Sequence, residues 1–129
     1  EIFVRRNALL HGRLNAVVVL DVDRARLRAE AADEAAARKE WWGPLHGVPM
    51  TIKESHDVAG LPTTQGDVKF AGRVAGEHEV MVERILAAGA IIWGKTNIAE
   101  NLDDIQSYNE IYGTTNNPWD VSRTASGSS

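Results

Sequence analysis

The sequence predicts an α/β fold, and three observations carry that expectation. Apolar, strand-like runs alternate with helix-like stretches along 129 residues, the order expected of a sheet covered by crossover helices. Ala90 to Trp93 is short and wholly apolar, as in a parallel strand buried on both faces. Arg24 to Glu40 is alanine-rich with a narrow stripe of small residues, which suits close packing on a sheet.

Ile2 to Leu14 places Val4, Ala8 and Leu10 or His11 among arginines, predicting a short amphipathic helix closed by Gly12. Asn15 to Leu20 is rich in β-branched residues and reads as a buried strand. Asp21 or Asp23 then caps the alanine-rich helix, with Leu27, Ala31 and Ala35 expected on its packed face. Glu34 and Arg38 have the spacing of a helical ion pair, and Gly43-Pro44 breaks the helix.

Val48, Met50 and Ile52 alternate with other residues at the period of a half-buried strand. Pro49 lacks a donor and belongs at its first residue or on an edge. Lys53 closes that strand on the side opposite Ile52. Asp57 to Gly76 is loop-rich. Glu77 to Ala88 is expected to be a helix with Val82, Ile85 and Leu86 inward and Gly89 as its left-handed cap. Asn97 to Glu100 has capping-box spacing and predicts a short helix. Tyr108 to Ser129 reads as an extended loop.

Composition excludes several function classes. The chain is 43% hydrophobic and 25% charged, as in ordinary globular proteins. With a net charge of −4 and interspersed signs, no basic face is set up for nucleic acid. The absence of cysteine leaves no disulfide framework or thiolate metal site and fits a reducing compartment, so a cytoplasmic location is expected. The longest apolar runs fall short of a membrane span, and no signal peptide is visible. The chain opens with glutamate and closes on Ser126-Gly127-Ser128-Ser129, so a piece of a longer protein is expected.

Two motifs carry less than they first suggest. Gly89 to Thr96 matches the phosphate-loop pattern of glycine, four residues, then Gly-Lys-Thr. A phosphate loop follows a strand, whereas here a helix precedes Gly89 and the four intervening residues are themselves the strand. His11, His46, His56 and His78 are scattered without ligand spacing. Asp103-Asp104 reads as a solvated face.

Lys53 is the candidate that remains. Lysine is mostly exposed, so a solvated strand end is the plain reading. The functional reading is a lysine kept neutral by partial burial, able to accept a proton.

Other stretches favour the second. They are Gly43-Pro-Leu-His-Gly-Val-Pro-Met-Thr-Ile-Lys-Glu54, Asp57-Val-Ala-Gly-Leu-Pro-Thr-Thr64, Leu86-Ala-Ala-Gly-Ala90, Gly94-Lys-Thr-Asn97, and Tyr112-Gly-Thr-Thr-Asn-Asn-Pro-Trp-Asp120 running into Gly127-Ser-Ser129. Five blocks in this order resemble the amidase signature family of serine hydrolases. The resemblance is dense from Gly43 onward and weaker over Leu14 to Asp21.

That resemblance implies part of an amidase-signature fold, a parallel or mixed sheet flanked by helices, with residues 1–129 the amino-terminal part of one domain. It implies a serine–serine–lysine triad with Lys53 as the catalytic lysine. Ser128 would be the bridging serine, after a cis Gly127–Ser128 bond, and Ser129 a supporting hydrogen-bond residue. The nucleophilic serine and the oxyanion hole would lie further downstream, so this piece alone is expected to be inactive. The substrate would be a small-molecule amide. No metal or organic cofactor is implied, and a homodimer is allowed. Glu54 stands where aspartate is common, and Ala125-Ser126 where Pro-Gly is usual. The first departure is expected to matter little. The glutaminase subunit of a transfer-RNA amidotransferase and a non-catalytic α/β binding module are the alternative readings.

Overall fold

A computed structural model describes residues 1–126 of the chain. Ser128, Ser129 and the Gly127–Ser128 bond lie outside the described residues.

Three strands form the main sheet in the order β1-β3-β2: β1 is Val17–Leu20, β2 Pro49–Lys53 and β3 Ile91–Thr96. Strand β2 runs parallel to β3, with Ile52 opposite Lys95 and Lys53 opposite Thr96. Strand β1 runs antiparallel to β3. The sheet is therefore mixed, and only the second strand–helix–strand unit is a parallel crossover.

Central position explains the apolar run. Ile92 packs with Val19, Ile52, Val58, Leu61 and Val82 in one cluster. Ile91 and Trp93 pack with Val17 and Ala25 in another. Adjacent strand residues point to opposite faces, so one apolar stretch feeds two clusters. The strand continues past Trp93 through Gly94, Lys95 and Thr96, because a buried lysine extends an otherwise apolar run. At Gly94 a Cβ would sit 2.6 Å from the carbonyl oxygen of Val19, which is why a glycine stands there.

Helix α1, Ile2–Leu14, contains Gly12 and ends instead at Asn15, whose left-handed backbone directs its N–H to the His11 carbonyl at 2.7 Å. Asparagine tolerates this conformation. Helix α2, Val22–Ala37, follows Asp21 and buries Ala25, Ala32 and Ala35. Leu27, expected inward, is 67% exposed. The packed stripe consists of alanines that let the helix lie close to β3, and leucine is too large for it. Arg38 pairs with Glu40 at 3.0 Å, since the helix has ended before it and its side chain turns forward.

Helix α3, Val80–Ala87, is shorter than expected at its start. Val82 is fully buried, with Ile85 and Leu86 packed beside it. Gly89 follows with φ +99°, and a Cβ there would lie 2.7 Å from the Cα of His46. Asn97 does not cap a helix. In place of the expected helix a 3-10 turn forms at Glu100–Leu102. The segment expected to be an extended loop contains a small hairpin of β4, Tyr108–Asn109, and β5, Gly113–Thr114.

Candidate active site

The end of β2 is held from both sides of Lys53. Ile52 is buried in the apolar cluster, and Glu54 is fully buried. Lys53, between them, is half-buried. The Glu54 N–H continues the sheet by donating to the Thr96 carbonyl at 3.0 Å. The His56 N–H then donates to the Lys53 carbonyl at 3.1 Å and turns the chain. Lys53 thus projects from a fixed strand end.

Four donors converge on the Glu54 carboxylate. They are the Thr64 N–H at 2.7 Å, the Thr64 hydroxyl at 2.9 Å, the Gln65 N–H at 3.0 Å and the Tyr112 hydroxyl at 3.1 Å. Successive amides can face one anion here because Gln65 and Gly66 both have positive φ. Burial, and then the adjacent carboxylate, push the Tyr112 hydroxyl up to about 12.

Lys95 is the other buried charge. It is 0% exposed, and its Nζ donates to the carbonyl of Pro62 and, at 2.8 Å, to the Thr63 hydroxyl. Burial lowers its ammonium to about 8, with Glu54 and Asp57 opposing the shift. Asp57 and Arg73 form a two-pronged ion pair at 2.7 Å on each prong. That pair holds the Asp57 carboxyl below its usual range. Arg73 also donates to the Thr63 carbonyl at 3.0 Å, so the 62–64 turn is gripped twice.

A second set of bonds fixes the chain leading toward Ser128. Asn97 Nδ2 donates to the Gly113 carbonyl at 2.9 Å and to the Thr115 hydroxyl at 3.0 Å, while its Oδ1 accepts from Asn109 at 2.9 Å. Asn109 is fully buried. Asn15 Nδ2 donates to the Tyr112 carbonyl at 2.6 Å, and Asn116 Nδ2 to the Arg13 carbonyl at 2.8 Å. The 107–116 segment is therefore fastened to β3 and to the end of α1.

Phosphate binding finds no support in this geometry. Gly89 closes a helix, Ile91 to Trp93 are strand, and Lys95 points into the protein. Among the described residues no cluster of three or more histidines, aspartates or glutamates could hold a metal. His56 binds Glu79 at 2.7 Å, and His46 and His78 accept backbone N–H groups. Asp103 and Asp104 are exposed.

The comparisons with known proteins decide the family. The Amidase family model matches residues 1–129. The chain belongs to the amidase family. An acylamidase of Rhodococcus erythropolis is 37% identical over 129 residues, covering 100% of this chain and 27% of that protein. A glutamyl-tRNA(Gln) amidotransferase subunit of Anaeromyxobacter sp. (strain K) is 42% identical over 118 residues, covering 92% of this chain and 24% of that protein. Among solved structures, the native peptide amidase from Stenotrophomonas maltophilia superposes with TM-score 0.88 at 31% identity, over 98% of this chain and 27% of that one. The chain spans about a quarter of the length of these relatives.

Of the sequence-derived site, Lys53 is described, and Ser128 and Ser129 lie outside the described residues. Sequence reasoning meets Lys95 only as the lysine of the phosphate-loop match, and it does not single out Thr63 or Tyr112. Each sits in a block that resembles the amidase family, which is the available signal. Glu54, a departure expected to matter little, is the hub of four hydrogen bonds.

Proposed function

We propose that this chain is the amino-terminal part of an amidase domain that hydrolyses a carboxylic amide to a carboxylate and ammonia or an amine. One observation carries the reading most directly: Lys53 is half-buried at a strand end whose flanking residues, Ile52 and Glu54, are locked into the interior. A proton acceptor needs a fixed position and reduced contact with water.

In this proposal Ser128 relays a proton between Lys53 and a nucleophilic serine downstream of residue 129, and Ser129 supports the loop. The serine attacks the amide carbonyl and loses its proton through Ser128 to Lys53. The same proton returns to the leaving amine as the acyl-enzyme forms, and water then releases the acid. Donors aimed at the developing oxyanion would also come from downstream. A small-molecule amide is the substrate class. A cytoplasmic location belongs to the same proposal and rests on the sequence.

A second reading has specific support. The 42% identity to a glutamyl-tRNA(Gln) amidotransferase subunit favours a glutaminase whose released ammonia passes to a charged transfer RNA with partner subunits. Purified full-length protein separates the two. Release of ammonia or amine from simple amides without partners, lost on Lys53→Ala, is expected for the first. Glutamine-dependent amidation of charged transfer RNA, seen only with partner subunits, would replace it with the second. Undiminished turnover in Lys53→Ala would overturn both.

A further inference from the structure

We propose that Lys95 is a positioning residue for Lys53, fixing the lysine-bearing strand end from the opposite face of the sheet. This rests on the reading of Lys53 as the catalytic lysine.

Register supplies the geometry. Ile52 stands opposite Lys95, so those side chains share a face, whereas Lys53 and Thr96 are the next pair along. On its own face Lys95 fastens the 62–64 turn through the Pro62 carbonyl and the Thr63 hydroxyl. The next residue, Thr64, gives both its N–H and its hydroxyl to Glu54. Glu54 follows Lys53 in the chain. A continuous path of short contacts therefore runs from Lys95 through Thr63 and Thr64 to Glu54, and by one peptide unit to Lys53.

Stability alone is a poor reason for this arrangement. A buried ammonium is costly, and an apolar side chain of similar size fills space without that cost. Both direct partners of Lys95 are uncharged oxygens. The charged groups acting on it are Glu54, Asp57 and Glu79, which favour the ammonium, and Arg73, which opposes it. What lysine supplies here is a long, directional donor that holds a loop at a set distance from the strand.

The test uses the full-length protein with Lys95→Met, Thr63→Val and Lys53→Ala, following hydrolysis of a simple carboxamide and thermal unfolding. Thr63→Val removes one partner of Lys95 and keeps its charge. It is expected to lower kcat about 10-fold with KM changed less than about 3-fold, leaving the pH profile in place. Lys95→Met is expected to lower kcat further. KM is again expected to change less than about 3-fold, a kcat-against-KM split that a general loss of folded protein would not produce. Wild-type kcat in a folded Lys95→Met protein would overturn the proposal. Should Lys95→Met fail to fold, wild-type kcat in Thr63→Val would do so. Full activity in Lys53→Ala would instead refute the reading of Lys53 itself, so the two failures are distinct.

Discussion

The ammonium of Lys95 lies 2.8 Å from the hydroxyl of Thr63, and both residues are buried. Burial holds this ammonium near 8, against an ordinary 10.5. Between those values the unfolded chain keeps a proton that the folded chain has released. Stability therefore rises with pH across the window, and the full penalty applies below about pH 8. At about 1.36 kcal/mol per unit the penalty is about 3 kcal/mol. In urea titrations of the full-length protein, the wild type should gain on Lys95→Met between about pH 7 and about pH 10. A constant difference would show that Lys95 does not titrate in this range.

Glu54→Gln should destabilise the protein by about 1–3 kcal/mol. An amide presents an NH2 group where four donors now meet a carboxylate, so at least one donor loses its acceptor. Chemical denaturation measures the loss. An unchanged midpoint would mean that the 64–66 turn rearranges freely.

Gly94→Ala should cost about 1–3 kcal/mol, although a glycine inside a strand is itself weakening. The added methyl would lie 2.6 Å from the Val19 carbonyl oxygen and 2.8 Å from Val17 Cγ1, so β1 must move away from β3. A thermal midpoint equal to wild type would contradict this packing.

The 129-residue chain by itself should not turn over amides, because its proposed nucleophile and oxyanion donors lie downstream. Loss of such groups costs orders of magnitude in rate. Measurable hydrolysis by the purified chain, abolished by Lys53→Ala, would reveal a nucleophile within these residues.

Strand and helix order was legible because periodicity records which face is buried. Val48, Met50 and Ile52 announced β2, and Val82, Ile85 and Leu86 announced the packed face of α3. Of the face expected on α2 only Ala35 is buried: Leu27 and Ala31 are exposed, and Ala25 and Ala32 pack instead, because the close approach to β3 admits only small residues and sets the helix's rotation. The end of α1 differs as well: Gly12, expected to close the helix, lies inside it, and Asn15 is the left-handed cap. The antiparallel pairing of β1 leaves no mark on local sequence.

The candidate site was legible in its blocks and hidden in its contacts. Lys53 stood out as a lysine closing an apolar strand. Lys95 did not, since a charged residue after Trp93 suggests the end of a strand. Its burial depends on acceptors at Pro62 and Thr63, more than thirty residues earlier in the chain. The capping-box spacing at Asn97 was likewise overruled by distant partners at Asn109, Gly113 and Thr115.

The central claim is that Lys53 works as a base, and Lys53→Arg in the full-length protein tests it most directly. Arginine keeps the positive charge and much of the length, but a guanidinium does not give up its proton in the working pH range. Steady-state hydrolysis of a simple amide should fall by a factor on the order of a thousand or more, with thermal unfolding close to wild type. Near-normal kcat in the arginine variant would mean that Lys53 acts through its charge, and the proposed proton relay would be wrong.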